Sequence, residues 1–173
     1  MTEPTERGKN SQEKGRLAAA FYEKARRTAR VLRPNEIPWE PYAKGRKKDL
    51  TRAVRPVFQC LDASIQVLPP GGSSEQQRHM TEELVYILEG CGYDLHWEAA
   101  PPPKRKAYAQ RQPGPTRYDW QQGDTIYIPI NVLHQHFNLD IEKPARFLTA
   151  TSRIPEYAGM DRMEQSPAVA DGP

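Results

Sequence analysis

Five polar residues of the metal-ligand type recur at strand spacing in two distant parts of the chain. Gln77 and His79 are two residues apart and Glu83 follows four residues later, whereas His134 and His136 form a second pair. Residues two apart on a β-strand point to the same face. Buried imidazole and carboxylate groups must be hydrogen-bonded, paired or bound to a metal. The two stretches together therefore indicate buried polar side chains that pair with one another, form hydrogen bonds or bind a metal.

Short apolar or alternating runs, separated by Gly, Pro and Asn, surround these residues and favour β-strands. The expected strands lie in VFQCLDASIQVLPP, LVYILEG, CGYDLHWE, TRYDW, DTIYIPI and ARFLTATSR. Closely spaced short strands with turn signals indicate an antiparallel sandwich or barrel. We therefore expect an all-β barrel over residues 57–155. A proline-rich, basic stretch at 99–116 is expected to be an inserted surface loop, with a lid as one of its uses.

The regions on either side of the barrel differ from it in pattern. Residues 1–10 are expected to be a disordered tail, residues 11–56 a helix followed by an arm, and residues 156–173 a loose C-terminal tail. Apolar residues near one face predict a helix over 11–33, with Pro34 as its stop.

Charge is unevenly distributed along the chain. Residues 1–56 hold 15 Lys and Arg against 7 Asp and Glu, and since the whole chain carries +3, residues 57–173 carry −5. A basic arm can bind nucleic acid, but no nucleic-acid-binding motif accompanies this one. We therefore expect the arm to cover the barrel or a neighbouring subunit.

The composition restricts the class of protein. The chain contains no apolar run long enough for a transmembrane helix and no apolar N-terminal stretch typical of a secretory signal. Only Cys60 and Cys91 are present, too few for a disulfide framework. These features favour a cytoplasmic protein.

The spacing of the polar residues resembles the two motifs of the cupin family, G(x)5HxH(x)3–4E(x)6G and G(x)5PxG(x)2H(x)3N. The matching positions are Gly71, His79, Glu83 and Gly90 in the first motif, and Gly123, Pro129, His134 and Asn138 in the second. The match covers roughly residues 57–150. Gln77 stands in place of a histidine and Asn131 in place of a glycine. Asn is a non-glycine residue that tolerates positive φ well.

The resemblance implies a double-stranded β-helix, or jelly-roll barrel, with one divalent metal. His79, Glu83 and His134 would be its ligands, and Gln77 a fourth through its amide oxygen. Two imidazoles, a carboxylate and a neutral oxygen suit Fe(II), Mn(II), Ni(II) or Zn(II). A Gln-x-His pattern is also similar to cupin-type phosphomannose isomerases, where the metal is zinc. A barrel that has lost its metal is the alternative.

Other residues are weaker candidates for the site. His136 is expected about 7 Å from His134 along the strand, either as a proton-transfer residue in the pocket wall or as a hydrogen-bonded core histidine. His96 is expected to be exposed. Three aromatic residues are candidate pocket neighbours or ordinary core residues: Tyr86, Tyr127 and Phe137.

The resemblance is greatest to cupins related to small-molecule and aromatic-ring dioxygenases. It implies a non-haem Fe(II) dioxygenase that binds O2 and a small organic, possibly aromatic, substrate. A Zn- or Mn-dependent isomerase or lyase and a non-catalytic ligand-binding cupin are the alternatives. Since cupin barrels commonly pair, and residues 11–56 supply a helix and an arm suited to exchange, we predict a homodimer.

Overall fold

A computed structural model of the chain describes residues 6–42, 45–52, 60–97, 114–159 and 164–166. Residues 99–113 of the loop expected at 99–116 therefore lie outside the described residues. No helix in the described part of the chain is both long and apolar enough to cross a membrane.

The N-terminal helix α1 covers Glu6–Arg27, so it begins and ends earlier than expected. The prediction of disorder is wrong for residues 6–10, which lie in the helix. At the end of the helix, Thr28 donates its hydroxyl to the carbonyl of Lys24 and its backbone N–H to the carbonyl of Ala25. The second bond spans three residues, so the last turn closes with the hydrogen-bond pattern of a 3₁₀ helix. Pro34 instead begins the 3₁₀ turn Pro34–Glu36.

Eleven strands and a second short helix follow in the described residues. They are β1 (Glu40–Tyr42), β2 (Gly45–Asp49), β3 (Leu61–Leu68), β4 (Gln76–Arg78), β5 (Glu83–Glu89), β6 (Cys91–Trp97), β7 (Thr116–Gln121), β8 (Thr125–Ile128), β9 (Leu133–Asn138), β10 (Ala145–Ser152), α2 (Ile154–Tyr157) and β11 (Glu164–Ser166).

The strands form two antiparallel sheets. The first has the order β1-β2-β3-β10-β5-β8, and the second has the order β11-β4-β9-β6-β7. Neighbouring strands that are distant in sequence, such as β3 and β10, are typical of a jelly roll rather than of a simple meander. The predicted all-β jelly-roll barrel with an N-terminal helix is confirmed.

Three strands lie where none was expected. The arm supplies β1 and β2, which extend the first sheet beside β3. The tail, expected to be loose after Pro155, supplies β11, which pairs with β4. Neither segment shows apolar alternation in sequence. Both lie at a sheet edge, where β1 and β11 are the outermost strands, and backbone hydrogen bonds to the neighbouring strand hold them in place.

The interior of the barrel is apolar at one end and polar at the other. Alternate residues of β5 and β10 face inward, and the apolar members Val85, Ile87, Ala145 and Phe147 are almost fully buried. Burying each large apolar side chain stabilises the fold by about 1.5–3 kcal/mol. Further along β10, Thr149 is also buried, and there the inner face becomes polar. The candidate site residues lie at this polar end.

Two turns show why the motif needs particular residues. Gly90 has φ +98°, and a Cβ there would lie 3.0 Å from the Cβ of Ala145, which explains a glycine between β5 and β6. Asn131 has φ +63° and is the one non-glycine residue with positive φ among the described residues. The expectation that Asn131 tolerates this conformation is confirmed.

Candidate metal centre

Three side chains from two sheets converge at the polar end of the barrel. His79 follows β4, Glu83 opens β5 in the first sheet, and His134 lies in β9 of the second. Nε2 of His79 is 2.9 Å and Nε2 of His134 is 3.6 Å from Oε2 of Glu83. One ligand atom from each residue lies within 4.8 Å of the others. Three ligands about 2.1 Å from one ion lie about 3 Å apart, so the cluster is close to the size that a single ion requires.

The ring of His134 is held so that one nitrogen is left without a hydrogen-bond partner. Its Nδ1 donates to the carbonyl of Val132 at 3.1 Å, which places the lone pair on Nε2. That Nε2 atom is buried and unpartnered. Burial, with the nearby charge of His136, lowers the pKa of His134 to about 4, so the ring is neutral at pH 7. A bare nitrogen lone pair thus lies beside the carboxylate of Glu83.

His79 and Glu83 form a charged pair. The Nδ1 of His79 donates to the carbonyl of Thr81 at 2.7 Å. Burial lowers the pKa of His79, but the hydrogen bond and charge of Glu83 outweigh it and the pKa is raised. Burial likewise raises the pKa of Glu83, but the His79 hydrogen bond and the charges of the neighbouring histidines hold it below its usual value. The site thus contains an ionised carboxylate and a proton on His79 that a cation can displace.

Gln77 is buried beside this cluster and pairs with His134 across β4 and β9. Its Nε2 donates to the hydroxyl of Tyr42 at 3.0 Å, which leaves the amide oxygen as the atom available to a cation. Burial, and then the charge of Glu83, raises the pKa of Tyr42 to about 12. Tyr42 is therefore a neutral hydroxyl that orients the amide, and the sequence did not single it out for the site.

His136 lies behind the donor cluster and is oriented by a buried aspartate. Its Nδ1 donates to both carboxylate oxygens of Asp94 at 2.9 Å, and Nε1 of Trp120 donates to Oδ1 of Asp94 at 2.8 Å. Burial lowers the pKa of His136, but Asp94 outweighs it and the pKa is raised. Burial raises the pKa of Asp94, but His136, His96 and Trp120 outweigh it and the pKa is lowered.

The expectation that His96 is exposed is wrong. Its side chain is buried, and its Nε2 lies 3.6 Å from Oδ2 of Asp94. His96 stands opposite His134 in the pairing of β6 with β9, so both point into the barrel. The sequence could have predicted this pair, because Asp94 and His96 are two residues apart in YDLHWE and therefore lie on the same face of a strand.

The three aromatic residues expected near the pocket do not line it. Tyr86 and Tyr127 are 43% and 55% exposed on the outer face of the first sheet. Phe137 stacks on Tyr93, with ring centroids 4.7 Å apart, on the face of β9 opposite His134. Each lies an odd number of residues from an inward-facing neighbour, so strand alternation points it outward. Tyr127 instead lines a separate cavity of about 460 Å³ that contains none of His79, Glu83 and His134.

A cavity of about 200 Å³ opens beside the donor cluster. We call it the polar cavity, since most of its lining side chains carry charges, hydroxyls or amides. Besides Gln77, His79, Thr81 and Glu83, it is lined by Tyr42, Lys47, Asp49, Asp62, Ala63, Ser64, Gln66, Thr149 and Thr151. Two of its walls come from β2 and β3, so the unexpected arm strand β2 helps to form it.

Comparison of the sequence with protein-family models and with curated proteins gives no match. Solved structures of similar fold include an oxalate decarboxylase from Lactobacillus farciminis in complex with formate. Its TM-score is 0.55 at 24% identity, over 68% of this chain and 31% of that one. An oxalate decarboxylase from Bacillus subtilis with Mn(II) centres has a TM-score of 0.53 at 18% identity, over 68% of this chain and 28% of that one.

A third similar structure is the polyketide cyclase RemF from Streptomyces resistomycificus. Its TM-score is 0.53 at 14% identity, and the match covers 72% of this chain and 79% of that one. The present chain spans less than a third of the length of the oxalate decarboxylases. At these identities the likeness shows the fold, which is the cupin jelly roll.

Proposed function

We propose that the protein is a metal-dependent enzyme that acts on a small organic substrate. His79, Glu83 and His134 are the proposed ligands, and Gln77 is a fourth through its amide oxygen. The observation that carries this proposal is the buried Nε2 of His134, which lacks a hydrogen-bond partner and lies 3.6 Å from the carboxylate of Glu83.

A bound cation accounts for that arrangement. A buried polar atom without a partner costs about 1–3 kcal/mol, and neither a lone pair nor a carboxylate can donate to the other. A cation between the two atoms satisfies both. The Val132 and Thr81 carbonyls fix the two rings so that each Nε2 faces Glu83, as oriented metal-binding histidines require.

Fe(II) dioxygenase chemistry is the first candidate within this function. Two histidines and one carboxylate on one side of a metal, with open positions opposite, are the arrangement of non-haem Fe(II) oxygenases. The metal would supply a Lewis acid and a binding position for O2. In this chain Asp94 fixes the proton of His136 on Nδ1 when the ring is neutral, so Nε2 is the atom with which His136 would accept or give a proton.

A redox-neutral lyase or isomerase that uses Mn(II) or Zn(II) is the second candidate. The polar cavity favours it, since hydroxyl and amide groups line the cavity, and Tyr42 is the one Phe, Tyr or Trp side chain among the described residues that line it. Such a lining suits a hydroxylated substrate more than the aromatic one that the resemblance to dioxygenases implies. Two of the similar structures, an oxalate decarboxylase with Mn(II) centres and a polyketide cyclase, also fit a function other than dioxygenation.

Metal analysis combined with oxygen measurement tests the proposal. Protein purified without chelator is expected to contain about one divalent metal per chain. Glu83→Gln is expected to lose it, whereas Glu82→Gln, the same change on the exposed neighbouring residue, is expected to keep it. Equal metal content in the two variants would refute the site.

Turnover then separates the candidates. Fe(II)-loaded protein, screened with small hydroxylated acids, is expected to consume O2 together with substrate if it is a dioxygenase. Turnover that persists under strict anaerobiosis excludes the oxygenase and supports the Mn(II)- or Zn(II)-dependent reaction. Metal-dependent binding without turnover would support a non-catalytic binding protein instead.

A further inference from the structure

We infer that the ligand of the polar cavity is a small hydroxylated carboxylate whose carboxylate group is bound by Lys47. The inference rests on the proposed function, because the metal is taken to hold the other end of the ligand. It goes beyond that function by naming a chemical class and a specificity residue on the arm strand β2.

The two aspartates that line the polar cavity already have cationic or donor partners. Oδ1 of Asp49 accepts hydrogen bonds from the backbone N–H groups of Thr51 and Arg52, and its other oxygen lies 3.8 Å from the Arg52 guanidinium. Asp62 accepts from the Thr51 hydroxyl at 2.9 Å and lies 3.5 Å from Arg153. Both carboxylates therefore have partners within the protein, and each of the two arginines also pairs with a glutamate, Glu40 or Glu156.

Lys47 differs from these two aspartates in its partners. Among the residues that the structure describes, no carboxylate lies within ion-pair distance of its ammonium group. Its contact is with the ring of Tyr42, whose centroid lies 4.4 Å from Nζ. A cation over an aromatic face is held by the ring quadrupole but keeps its hydrogen-bond donors free. Lys47 therefore supplies positive charge and unused donors to the cavity wall.

The position of Lys47 links that charge to the metal donors. Tyr42, whose ring lies under the ammonium group, contacts Gln77 through its hydroxyl. Lys47 and Asp49 share the inner face of β2, whereas the intervening Lys48 points away, toward Trp39. A short ligand that binds the metal through one oxygen can therefore reach Lys47 with another.

The rest of the wall is suited to hydroxyl groups. The hydroxyls of Ser64 and Thr149 are 2.9 Å apart, and Gln66 donates to Thr149 at 3.3 Å. Hydroxyls and amides can both donate and accept, so this network can accommodate a ligand hydroxyl. A cavity of about 200 Å³ limits the ligand to a small molecule.

The experiment compares glycerate with glyceramide, in which an amide replaces the carboxylate but the hydroxyls remain. Wild-type protein and variants are loaded with Mn(II), metal content is measured by elemental analysis, and each compound is titrated by calorimetry. Wild type is expected to bind glycerate more tightly than glyceramide. Lys47→Met is expected to bind glycerate about 10- to 100-fold more weakly, the size of a lost charge-assisted hydrogen bond.

Matched variants control for charge and folding. Lys47→Arg keeps the cation and is expected to retain most of the affinity. Lys143→Met makes the same charge change at an exposed site outside the polar cavity, and it is expected to bind as wild type does. Circular dichroism checks folding, and Lys47→Gln replaces Lys47→Met if that variant does not fold.

The outcomes separate the inference from the proposed function. Mn(II) uptake with unchanged glycerate affinity in Lys47→Met overturns the inference alone, because the metal would then hold the anion without help. Equal wild-type affinity for the two compounds, or no binding of either, also overturns it. A wild-type protein that takes up no Mn(II) overturns the proposed function and the inference with it.

Discussion

At the scale of single residues, the orientation of His134 determines what the site can do. The Val132 carbonyl accepts a hydrogen bond from Nδ1–H, the neighbouring strands exclude water, and the unprotonated Nε2 faces Glu83. Each of these facts alone is common for a buried histidine. Together they leave a ligand atom with no partner in the protein, which is the condition that a metal ion relieves.

His134→Ala is therefore expected to lower metal affinity by about tenfold or more, since even the loss of outer groups that orient ligands has that effect. The measurement is metal content after dialysis against a weak chelator. His96→Ala removes another buried histidine, on the strand beside β9 and outside the donor cluster, and is expected to keep the metal. Unchanged metal content in His134→Ala would contradict its assignment as a ligand.

At the scale of elements, β6 and β9 carry a buried charge network beside the candidate metal site. Asp94 on β6 is fully buried and holds His136 on β9, while Trp120 on β7 adds a third contact. Breaking a buried pair by removing one partner typically costs about 3–5 kcal/mol. The network thus joins β6, β7 and β9 of the second sheet beside the candidate metal site.

The stability that this pair contributes should depend on pH. Asp94 has a lowered pKa and His136 a raised one, and the unfolded values are about 3.9 and about 6.5. The contribution is therefore complete between about pH 4 and about pH 6.5. It weakens as pH rises through the pKa of His136, which the charge of Glu83 also helps to raise. It weakens again as pH falls through the lowered pKa of Asp94.

Asp94→Asn is expected to destabilise the metal-free protein by about 3 kcal/mol near pH 5.5 and by less near pH 9. Urea unfolding in the presence of a chelator measures both values. Asp119→Asn, at an exposed position on the adjacent strand β7, is expected to change stability by less than about 0.5 kcal/mol. An Asp94→Asn effect that grows toward high pH would contradict the assigned charge states.

At the scale of the whole molecule, an apolar patch covers part of the outer face of the first sheet. Leu84 pairs with Tyr127 and Tyr86 with Leu148 across adjacent strands. Leu84, Tyr86 and Tyr127 are each more than 40% exposed. Contiguous apolar surface of this kind is typical of an interface. It offers a second surface for association besides helix α1, where Leu17 is also exposed.

We predict a homodimer, with a mass by light scattering of about twice the 19.8 kDa of the chain. If the outer patch forms the contact, Tyr86→Glu shifts the protein toward the monomer mass, because a charge buried in an apolar interface is costly. Ile141→Glu, at an exposed position outside the outer patch, is the control and is expected to leave the mass unchanged. A wild-type mass near that of one chain would refute the dimer.

Much of the fold and part of the candidate site could be predicted from the sequence alone. Period-two runs separated by turn residues identified the barrel strands, since alternation and turn chemistry are local properties. The same alternation predicts that Tyr86, Tyr127 and Phe137 point outward, because each lies an odd number of residues from an inward-facing neighbour on its strand. Motif spacing grouped His79, Glu83 and His134, which the structure brings within 4.8 Å of one another.

The sequence by itself determined which residues could bind a metal, and the tertiary structure decided what surrounds them. Tyr42 reaches Gln77 across 35 positions of sequence and His136 meets Asp94 across 42. Lys47 enters the polar cavity because β2 pairs with β3. Such contacts depend on which strands become neighbours, and strand pairing between distant segments is set by the packing of the whole barrel rather than by local pattern.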